Sequence, residues 1–249
     1  MKRILETEAM DNLQETQELD KMSQKYIYIL NEAMARSALK MGVAKGKVLE
    51  IGIGPARIAT RLVTYNPQFS VIGIDLSTNM LNIAKNNIKD ANIDETKIIL
   101  IKSDAKKLPF KNESFDLVIS QNMLHHLPDP VLMLSEINRV VKNTGAILIR
   151  DVIRPPNKLI AKIYSYILGL NYTNTMRIMY YESMLAAFSI NEIKSLLNQA
   201  GLNNIKITRH FLTHFGIEKA STLNQNVNFI SMKLDLLREL MLISYISRR

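Results

Sequence analysis

The sequence predicts an α/β fold in which a mainly parallel sheet is covered on both faces by helices. Short apolar runs alternate with amphipathic segments along the middle of the chain, an order typical of successive βαβ units. The runs are apolar nearly throughout, whereas strands with one face in water alternate apolar and polar residues. Polar or acidic residues follow several runs directly, and parallel sheets bind ligands at that edge.

The predicted strands and helices can be followed in order along the chain. The strands are the runs KVLEIG, SVIGID, KIILIKSDA, FDLVISQ and AILIRDVI, with NIKITRHFL later in the chain. The helices between them are ARIATRLVTYN, TNMLNIAKNNIKDA and DPVLMLSEINRVVKNTG. Ser77 and Thr78 supply an N-cap for the second helix, and Gly145 ends the third. SINEIKSLLNQAGL is a further helix that ends at Gly201.

We divide the chain into three parts. Residues 1–45 are predicted to form helices, of which YIYILNEAMARSALKMG has the clearest apolar face. Residues 46–220 form the α/β domain, and residues 155–188 interrupt it with apolar helices that we interpret as a cover over a substrate pocket. Residues 221–249 contain an amphipathic stretch, FISMKLDLLRELMLISYI, to which the sequence assigns no role.

The predicted cover is rich in tyrosine. We expect an apolar pocket to be lined by Tyr164, Tyr166, Tyr172, Tyr180 and Tyr181. Aromatic side chains at helical spacing are equally typical of an ordinary core, so the sequence leaves both interpretations open. Tyr180 is the candidate catalytic residue of this segment.

Composition and charge restrict the classes of function. The 249 residues contain no cysteine, which excludes disulfides, thiolate metal ligands and a cysteine nucleophile. The net charge is +9, but the basic residues are scattered and not interleaved with aromatic residues as in a nucleic-acid platform. Weak attraction to an anionic membrane surface fits this charge equally well. The first residues lack the apolar core of a secretory signal, so we expect a cytoplasmic location.

The turn in VLEIGIGPARIATRL is the strongest indication of a ligand site. Gly52 and Gly54 can take positive φ and let a ligand approach the backbone closely. The turn leads into a helix, whose first amides favour a negative group. A redox dinucleotide is disfavoured because Arg57 occupies the third position of G-x-G-x-x-G, which needs a small residue. The Gly-Lys-Ser/Thr string of a Walker A loop is absent from this turn.

The acid that precedes this turn completes a different pattern. Glu50-x-Gly52-x-Gly54-x-Ala56 resembles motif I of the class I S-adenosylmethionine-dependent methyltransferases, and the resemblance extends over residues 46–150. It implies S-adenosylmethionine as the cofactor and a three-layer, Rossmann-like sandwich with a mostly parallel, seven-stranded sheet. Ala56 stands where the family has a third glycine. Because alanine resists positive φ, we expect a slightly reshaped turn that still binds the cofactor.

The other motifs place further cofactor contacts at the ends of strands. Asp75 ends the second strand, and the resemblance implies that its carboxylate accepts hydrogen bonds from both ribose hydroxyls. Asp104 follows the third strand, where the family contacts adenine. SFDLVISQNMLHHLPDP looks like motif IV and the loop after it. Together with the glycine turn, the cofactor-binding residues implied by the resemblance are Asp75, Leu76, Asp104, Ala105, Gln121 and Asn122.

Candidate catalytic residues lie near the same edge. His125 and His126 occur in LHHLPDP, which looks like a string of the family, and they either shape this loop or supply a base. A base is needed only when the acceptor carries a proton. Arg150 and Asp151 end the fifth strand, where they would orient a charged acceptor or form an ion pair that holds the cover. His210 is expected to be an ordinary surface residue, and no metal site is predicted.

The predicted function is methyl transfer to a small, apolar or aromatic acceptor, because a cover after the fifth strand would roof a pocket. IRDVIRPPNKLIAKIYSYILGL and SINEIKSLLNQAGL resemble the C-terminal part of the quinone-biosynthesis C-methyltransferases. The positive charge favours a tRNA or protein methyltransferase instead, although SQNM stands where amino-group methyltransferases often carry Asn/Asp-Pro-Pro-Tyr/Phe. A protein that binds the cofactor without transferring a methyl group is a third hypothesis. The sequence does not predict the oligomeric state.

Overall fold

The computed structural model describes residues 1–6, 12–25, 27–210 and 213–223. The amphipathic stretch that begins at Phe229 lies outside these residues. Within them, no helix combines the length and the apolar character needed to cross a membrane.

A sheet of seven strands forms the centre of the fold. The strands are β1 Gly46–Ile51, β2 Phe69–Asp75, β3 Ile98–Lys102, β4 Phe115–Gln121, β5 Val141–Val152, β6 Lys206–His210 and β7 His214–Lys219. Their order across the sheet is β3-β2-β1-β4-β5-β7-β6. The first five strands are parallel, and β7 is antiparallel to both of its neighbours. The predicted mostly parallel sheet is therefore confirmed.

Helices cover both faces of this sheet. They are α1 Leu13–Lys25, α2 Tyr28–Leu39, α3 Arg57–Tyr65, α4 Thr78–Asp90, α5 Val131–Val140, α6 Lys158–Leu168, α7 Asn174–Ala186 and α8 Ile190–Gln199. On one face, α2 and α3 bury Met34 and Leu62 against Leu117 of β4. On the other face, α5 and α8 bury Leu134 and Ile193. These layers form the predicted three-layer, Rossmann-like sandwich.

Two elements near the fifth strand differ from the prediction. The helix α5 ends at Val140 instead of continuing to Gly145, and β5 already begins at Val141. Consecutive β-branched valines favour an extended backbone, and the register shifts where the strand enters the sheet. The strand β7 is not among the strands that the sequence predicts individually, because Gly216 and polar residues interrupt its apolar pattern.

The strand order creates the place where a ligand can bind. The chain leaves β1 toward β2 on one side, while β4 pairs with β1 on the other side. The turns after β1 and β4 therefore diverge at the carboxyl edge, the usual ligand position in open α/β sheets. The N-terminal residues are joined to α7 near this edge, where the Ile4 N–H donates to the Leu185 carbonyl. Of these N-terminal residues, Ile4, Leu5 and Glu6 line the cavity described below.

The central strand β4 offers a test of the packing. The Leu117 side chain is fully buried, so Leu117→Ala should lower the free energy of unfolding by about 2–5 kcal/mol. Leu132→Ala is the matched control, because Leu132 is 50% exposed on α5 and its truncation should change stability by less than about 0.5 kcal/mol. Denaturant titration followed by circular dichroism measures both variants. Equal losses in the two variants would contradict this packing.

Candidate functional site

The turn between β1 and α3 has a left-handed backbone at three positions. The φ angles are 68° at Gly52, 52° at Gly54 and 58° at Ala56. Ala56 therefore adopts the conformation that alanine resists, at a cost of about 1–2 kcal/mol. Hydrogen bonds hold the turn in this form, since the Ala56 N–H donates to Ile53 O and the Ile53 N–H donates to Ile74 O. The turn thus keeps the shape that a third glycine would allow.

The space in front of the turn differs between its two glycines. A Cβ at Gly52 would lie 2.6 Å from the Met123 side chain, so this glycine is required by protein packing. A Cβ at Gly54 would have no atom of the described chain within 4 Å. Gly54 therefore faces open space in which a ligand can approach the backbone.

Asp75 connects this turn to the start of α4. Its Oδ2 accepts a hydrogen bond from the Gly54 N–H, and its Oδ1 accepts one from the Ser77 N–H, both at 3.0 Å. Burial raises the pKa of Asp75, while these two hydrogen bonds favour the ionised form. The Leu76 N–H also donates to this carboxylate. Because a carboxylate has about four acceptor sites, the side chain can still accept from a ligand hydroxyl. Leu76 beside it is 39% exposed.

Glu50 is an almost fully buried acid of the site, and its pKa is strongly raised. It is 2% exposed at the end of β1, and burial raises the pKa of this carboxyl to about 8. Its Oε2 atom has no hydrogen-bond partner among the described residues, and the same holds for Oδ1 of Asn122. Both side chains line the same cavity as Gly54 and Asp75. A cationic ligand beside Glu50 would satisfy the carboxyl and favour its ionised form.

Asp104 and Gln121 belong to the same edge. The Asp104 Oδ1 accepts from the Lys106 N–H at 2.8 Å, and Ala105 is buried next to it. The Gln121 amide donates to Asn31 Oδ1 of α2 at 2.9 Å, so it also holds that helix in place.

A single cavity of about 800 Å³ brings most of the predicted site residues together. Its lining includes the glycine turn and the acids as well as aromatic and apolar residues of α7. The predicted residues that line it are Glu50, Gly52, Gly54, Asp75, Leu76, Asp104, Ala105, Gln121, Asn122, His125, His126, Arg150 and Tyr180. Ala56 and Asp151 do not line the cavity. Ala56 is buried in the hydrophobic core between the helices α2 and α3 and the sheet, and Asp151 is in contact with His125. The cavity therefore combines polar groups that could bind a nucleoside and an amino acid group with an apolar surface.

His125 and Asp151 form a buried pair beside the cavity. His125 Nδ1 lies 2.6 Å from Asp151 Oδ1, and the other carboxylate oxygen accepts from the Leu124 N–H at 2.7 Å. Burial lowers the pKa of His125, but the Asp151 carboxylate outweighs it, so the pKa lies above that of an ordinary histidine. His125 Nε2 has no hydrogen-bond partner in the described part of the chain. The contact with Asp151 therefore fixes the orientation of the imidazole, and the Nε2 atom is buried.

Glu6 joins this pair from the N-terminal segment. Its Oε2 lies 2.8 Å from His126 Nδ1 and 3.9 Å from His125 Nε2. Arg3 holds the segment in place, because its guanidinium donates to the carbonyls of His125 and Leu127. The three ligand atoms of Glu6, His125 and His126 lie within 4.8 Å of one another, a spacing that a divalent cation could share. Nothing in the sequence connects residue 6 to this loop, so the contact is found only in the structure.

The basic residues at the end of β5 and just after it have structural contacts. Arg150 is buried and donates to the Ser37 hydroxyl of α2 at 2.5 Å. Arg154 pairs with Glu192 of α8 at 2.6 Å and does not line the cavity. The partner of Arg154 belongs to α8 and not to the predicted cover of residues 155–188.

The far end of the cavity contains histidines that the sequence does not point to. His210 is buried, with Nε2 3.0 Å from Glu218 Oε1, so the expectation of a surface residue is wrong. The antiparallel pairing of β6 with β7 encloses it. His214 lies nearby, and burial lowers the pKa of its imidazole to about 4. Burial also raises the pKa of the Tyr180 hydroxyl.

The tyrosines of residues 155–188 divide into two groups. Tyr172, Tyr180 and Tyr181 line the cavity, in agreement with their expected place. Tyr164 instead packs α6 against α7, and Tyr166 is 61% exposed on the outer side.

Comparisons with known proteins give a consistent picture. A family described as a methyltransferase domain matches residues 49–149. The demethylmenaquinone methyltransferase of Lactobacillus johnsonii is 32% identical over 165 residues, which cover 61% of this chain and 67% of that protein. An uncharacterised protein of Methanocaldococcus jannaschii is 31% identical over 183 residues, covering 72% and 77% of the two chains.

The fold also occurs among solved structures. A protein of Methanococcus maripaludis, assigned as an S-adenosyl-L-methionine-dependent methyltransferase, matches with a TM-score of 0.66 and 21% identity. The match covers 92% of this chain and 100% of that chain. At this identity the similarity concerns the fold alone.

Gly54 provides a test of the open space in the turn. Gly54→Val should leave the protein folded, because no described atom occupies the position of the new side chain, although the positive φ costs roughly 1–2 kcal/mol. Binding of S-adenosylhomocysteine should be lost, because the branched side chain fills the space in front of the turn. Isothermal calorimetry measures binding, and circular dichroism checks the fold. A folded variant with unchanged affinity would show that the ligand does not approach Gly54.

Asp75 provides a test of the acidic contact. Asp75→Ala should weaken S-adenosylhomocysteine binding about 10- to 100-fold, as expected for the loss of hydrogen bonds to a charged group. Asp90→Ala is the control, since Asp90 is an exposed acid at the end of α4. Calorimetric affinities that are equal in the two variants would contradict the ribose contact assigned to Asp75.

Proposed function

Because the chain belongs to the class I S-adenosylmethionine-dependent methyltransferases, we propose that it methylates a small, apolar or aromatic acceptor. The observation that carries this proposal is the single cavity shared by the glycine turn and the α7 tyrosines. Its volume of about 800 Å³ lies in the upper part of the ~300–1,000 Å³ range of small-molecule pockets. This leaves room for an acceptor next to a bound cofactor.

The acidic end of the cavity fits the cofactor that the family uses. Gly54 leaves the approach to the backbone open, Asp75 can accept from the ribose hydroxyls, and Asp104 can accept from the adenine amino group. Glu50 and Asn122 offer buried oxygens without partners among the described residues, which suit the ammonium group of the methionine end. When bound, S-adenosylmethionine supplies an activated methyl group on a sulfonium ion. The chain's main task is to align an acceptor with that group and to exclude water.

The His125–Asp151 pair is suited to removing a proton from the acceptor. With Nδ1–H donating to the Asp151 carboxylate, the lone pair on the buried Nε2 has no partner among the described residues and can take up a proton. As Nε2 takes up the proton, the carboxylate stabilises the imidazolium that forms. A phenol, another hydroxyl or an acidic carbon would supply such a proton. Tyr180 and Glu6 also line this cavity and would lie near such an acceptor.

The chemical class of the acceptor is inferred from the lining. Met179, Leu168 and the tyrosines of α7 form an apolar and aromatic surface beside His125. Such a surface suits an aromatic ring, which stacks against other rings or meets them edge to face. The Lactobacillus johnsonii relative is named for demethylmenaquinone, an acceptor of this chemical kind, and we extend a quinone-like acceptor to this chain on that basis.

A transfer assay with methyl-labelled S-adenosylmethionine tests the proposed class of acceptor directly. Purified protein is incubated with S-adenosylmethionine labelled in the methyl group and with host extract, and the lipid and small-molecule fraction is separated from RNA and protein. Label in the organic fraction is expected, and Gly54→Val serves as the control that should transfer none. Label in RNA or protein would replace this proposal with the macromolecular hypothesis. Calorimetric binding without any transfer would favour a protein that only binds the cofactor.

The proposed base predicts a pH dependence. His125 must be neutral to accept a proton, so kcat/KM for an acceptor with an acidic proton should rise with pH through a pKa above the ordinary value of about 6.5. Asp151→Asn removes the charge that raises this pKa, so the profile should shift to lower pH. The plateau should also fall on the order of 10²-fold, because the imidazole loses its orientation.

Asp129→Asn is the control for this series, because Asp129 lies on the surface at the start of α5 and should leave the profile unchanged. A profile that stays in place in Asp151→Asn would mean that another group titrates.

A further inference from the structure

The helix α6 exposes most of its large apolar side chains and fully buries only small ones. The stripe that packs against α7 contains Ala161 and Ser165, which are 0% and 3% exposed, together with the partly buried Tyr164. The opposite face carries Leu159, Ile163 and Ile167, which are 67%, 43% and 57% exposed. Ordinary surface helices have the reverse arrangement, with the apolar stripe turned to the core. A contiguous apolar face of this kind is typical of an interaction surface.

This face continues beyond the three aliphatic residues. We call it the α6 outer face, and it consists of Leu159, Lys162, Ile163, Tyr166 and Ile167, with Leu170 directly after the helix. Tyr166 is 61% exposed and Leu170 is 66% exposed. A shallow depression on it is lined by Leu159, Lys162, Ile163, Tyr166 and Ile167. The apolar residues recur at helical spacing, so they form one surface and not scattered contacts.

The charge around this face has one sign. Residues 152–181 contain no aspartate or glutamate, whereas Lys162 lies on the α6 outer face and Lys158 is exposed at the first position of the helix. Lysines beside an apolar helical face are typical of helices that lie in the boundary of an anionic bilayer, with the lysines at lipid phosphates. In a two-fold contact between two copies, a residue near the symmetry axis meets its own copy, and these lysines would face each other without an acid of the same segment.

We propose that the α6 outer face docks on the surface of an anionic lipid bilayer. Leu159, Ile163 and Ile167 would enter the boundary between headgroups and acyl chains, while Lys158 and Lys162 bind lipid phosphates. The adjoining residues Leu168 and Tyr172 line the cavity, so docking would place the apolar end of the cavity close to the membrane. Delivery of a membrane-dissolved acceptor to that end rests on the proposed function, whereas the docking itself does not.

The absence of tryptophan from the sequence allows a local probe of docking. Ile163→Trp places the only tryptophan on the α6 outer face, and Leu132→Trp places it on the exposed surface of α5. Phosphatidylcholine vesicles with and without phosphatidylglycerol are added to each full-length variant. The emission of Ile163→Trp should shift to shorter wavelength with phosphatidylglycerol vesicles and that of Leu132→Trp should not. Unshifted emission of Ile163→Trp would overturn the proposal.

Binding strength is measured by sedimentation with the same vesicles. Leu159→Ser combined with Ile167→Ser should weaken partitioning on the order of tenfold or more, and Ile99→Ser combined with Leu132→Ser should leave it unchanged. Equal binding of both double variants would place the membrane contact elsewhere in the chain. Analytical ultracentrifugation measures the oligomeric state of each protein. If the unsubstituted protein and the control double variant are dimers and only the α6 double variant is a monomer, the face binds a second copy of the chain.

The docking test is independent of catalysis. S-adenosylhomocysteine binding by calorimetry and the thermal melt should be unchanged in the α6 double variant, because its substituted side chains face outward. Transfer of labelled methyl groups in detergent extract is measured separately. Loss of vesicle binding in the α6 double variant with transfer retained supports docking. Vesicle binding by the unsubstituted protein without any methyl transfer contradicts only the proposed function.

Discussion

The carboxylate of Asp75 is the contact on which the polar end of the cavity depends. By accepting from Gly54 N–H and Ser77 N–H, it connects the turn after β1 to the first turn of α4. The two backbone segments would otherwise be independent loops at the edge of the sheet. Because a carboxylate has lone pairs beyond these two bonds, the same group that builds the site can also receive a ligand.

Burial then gives the acids and histidines of the cavity distinct electrostatic states. Burial raises the pKa of Glu50 to about 8, whereas the contact with His125 lowers the pKa of Asp151 and keeps this carboxyl ionised. Two carboxyl groups of the same edge are thus prepared for different tasks. One can respond to a cationic ligand, and the other orients an imidazole.

The other side of the cavity is built from segments distant in sequence. Arg3 fixes the N-terminal segment to carbonyls of the loop after β4, which brings Glu6 to His126. The helix α7 supplies the tyrosines, and α6 packs on it through small residues. That arrangement leaves Leu159, Ile163 and Ile167 of α6 exposed, so the segment that borders the cavity also carries an apolar outer surface.

The sequence by itself determined the parallel α/β sheet, the glycine turn and the placement of acids after the strands. These features are local: apolar runs define strands, and residues that follow parallel strands share one edge. Only the tertiary structure decided that β5 begins at Val141, that β7 encloses His210, and that Glu6 reaches His126. It also decided which face of α6 is buried. Those outcomes depend on packing between segments far apart in the chain, and no local pattern of residues encodes that packing.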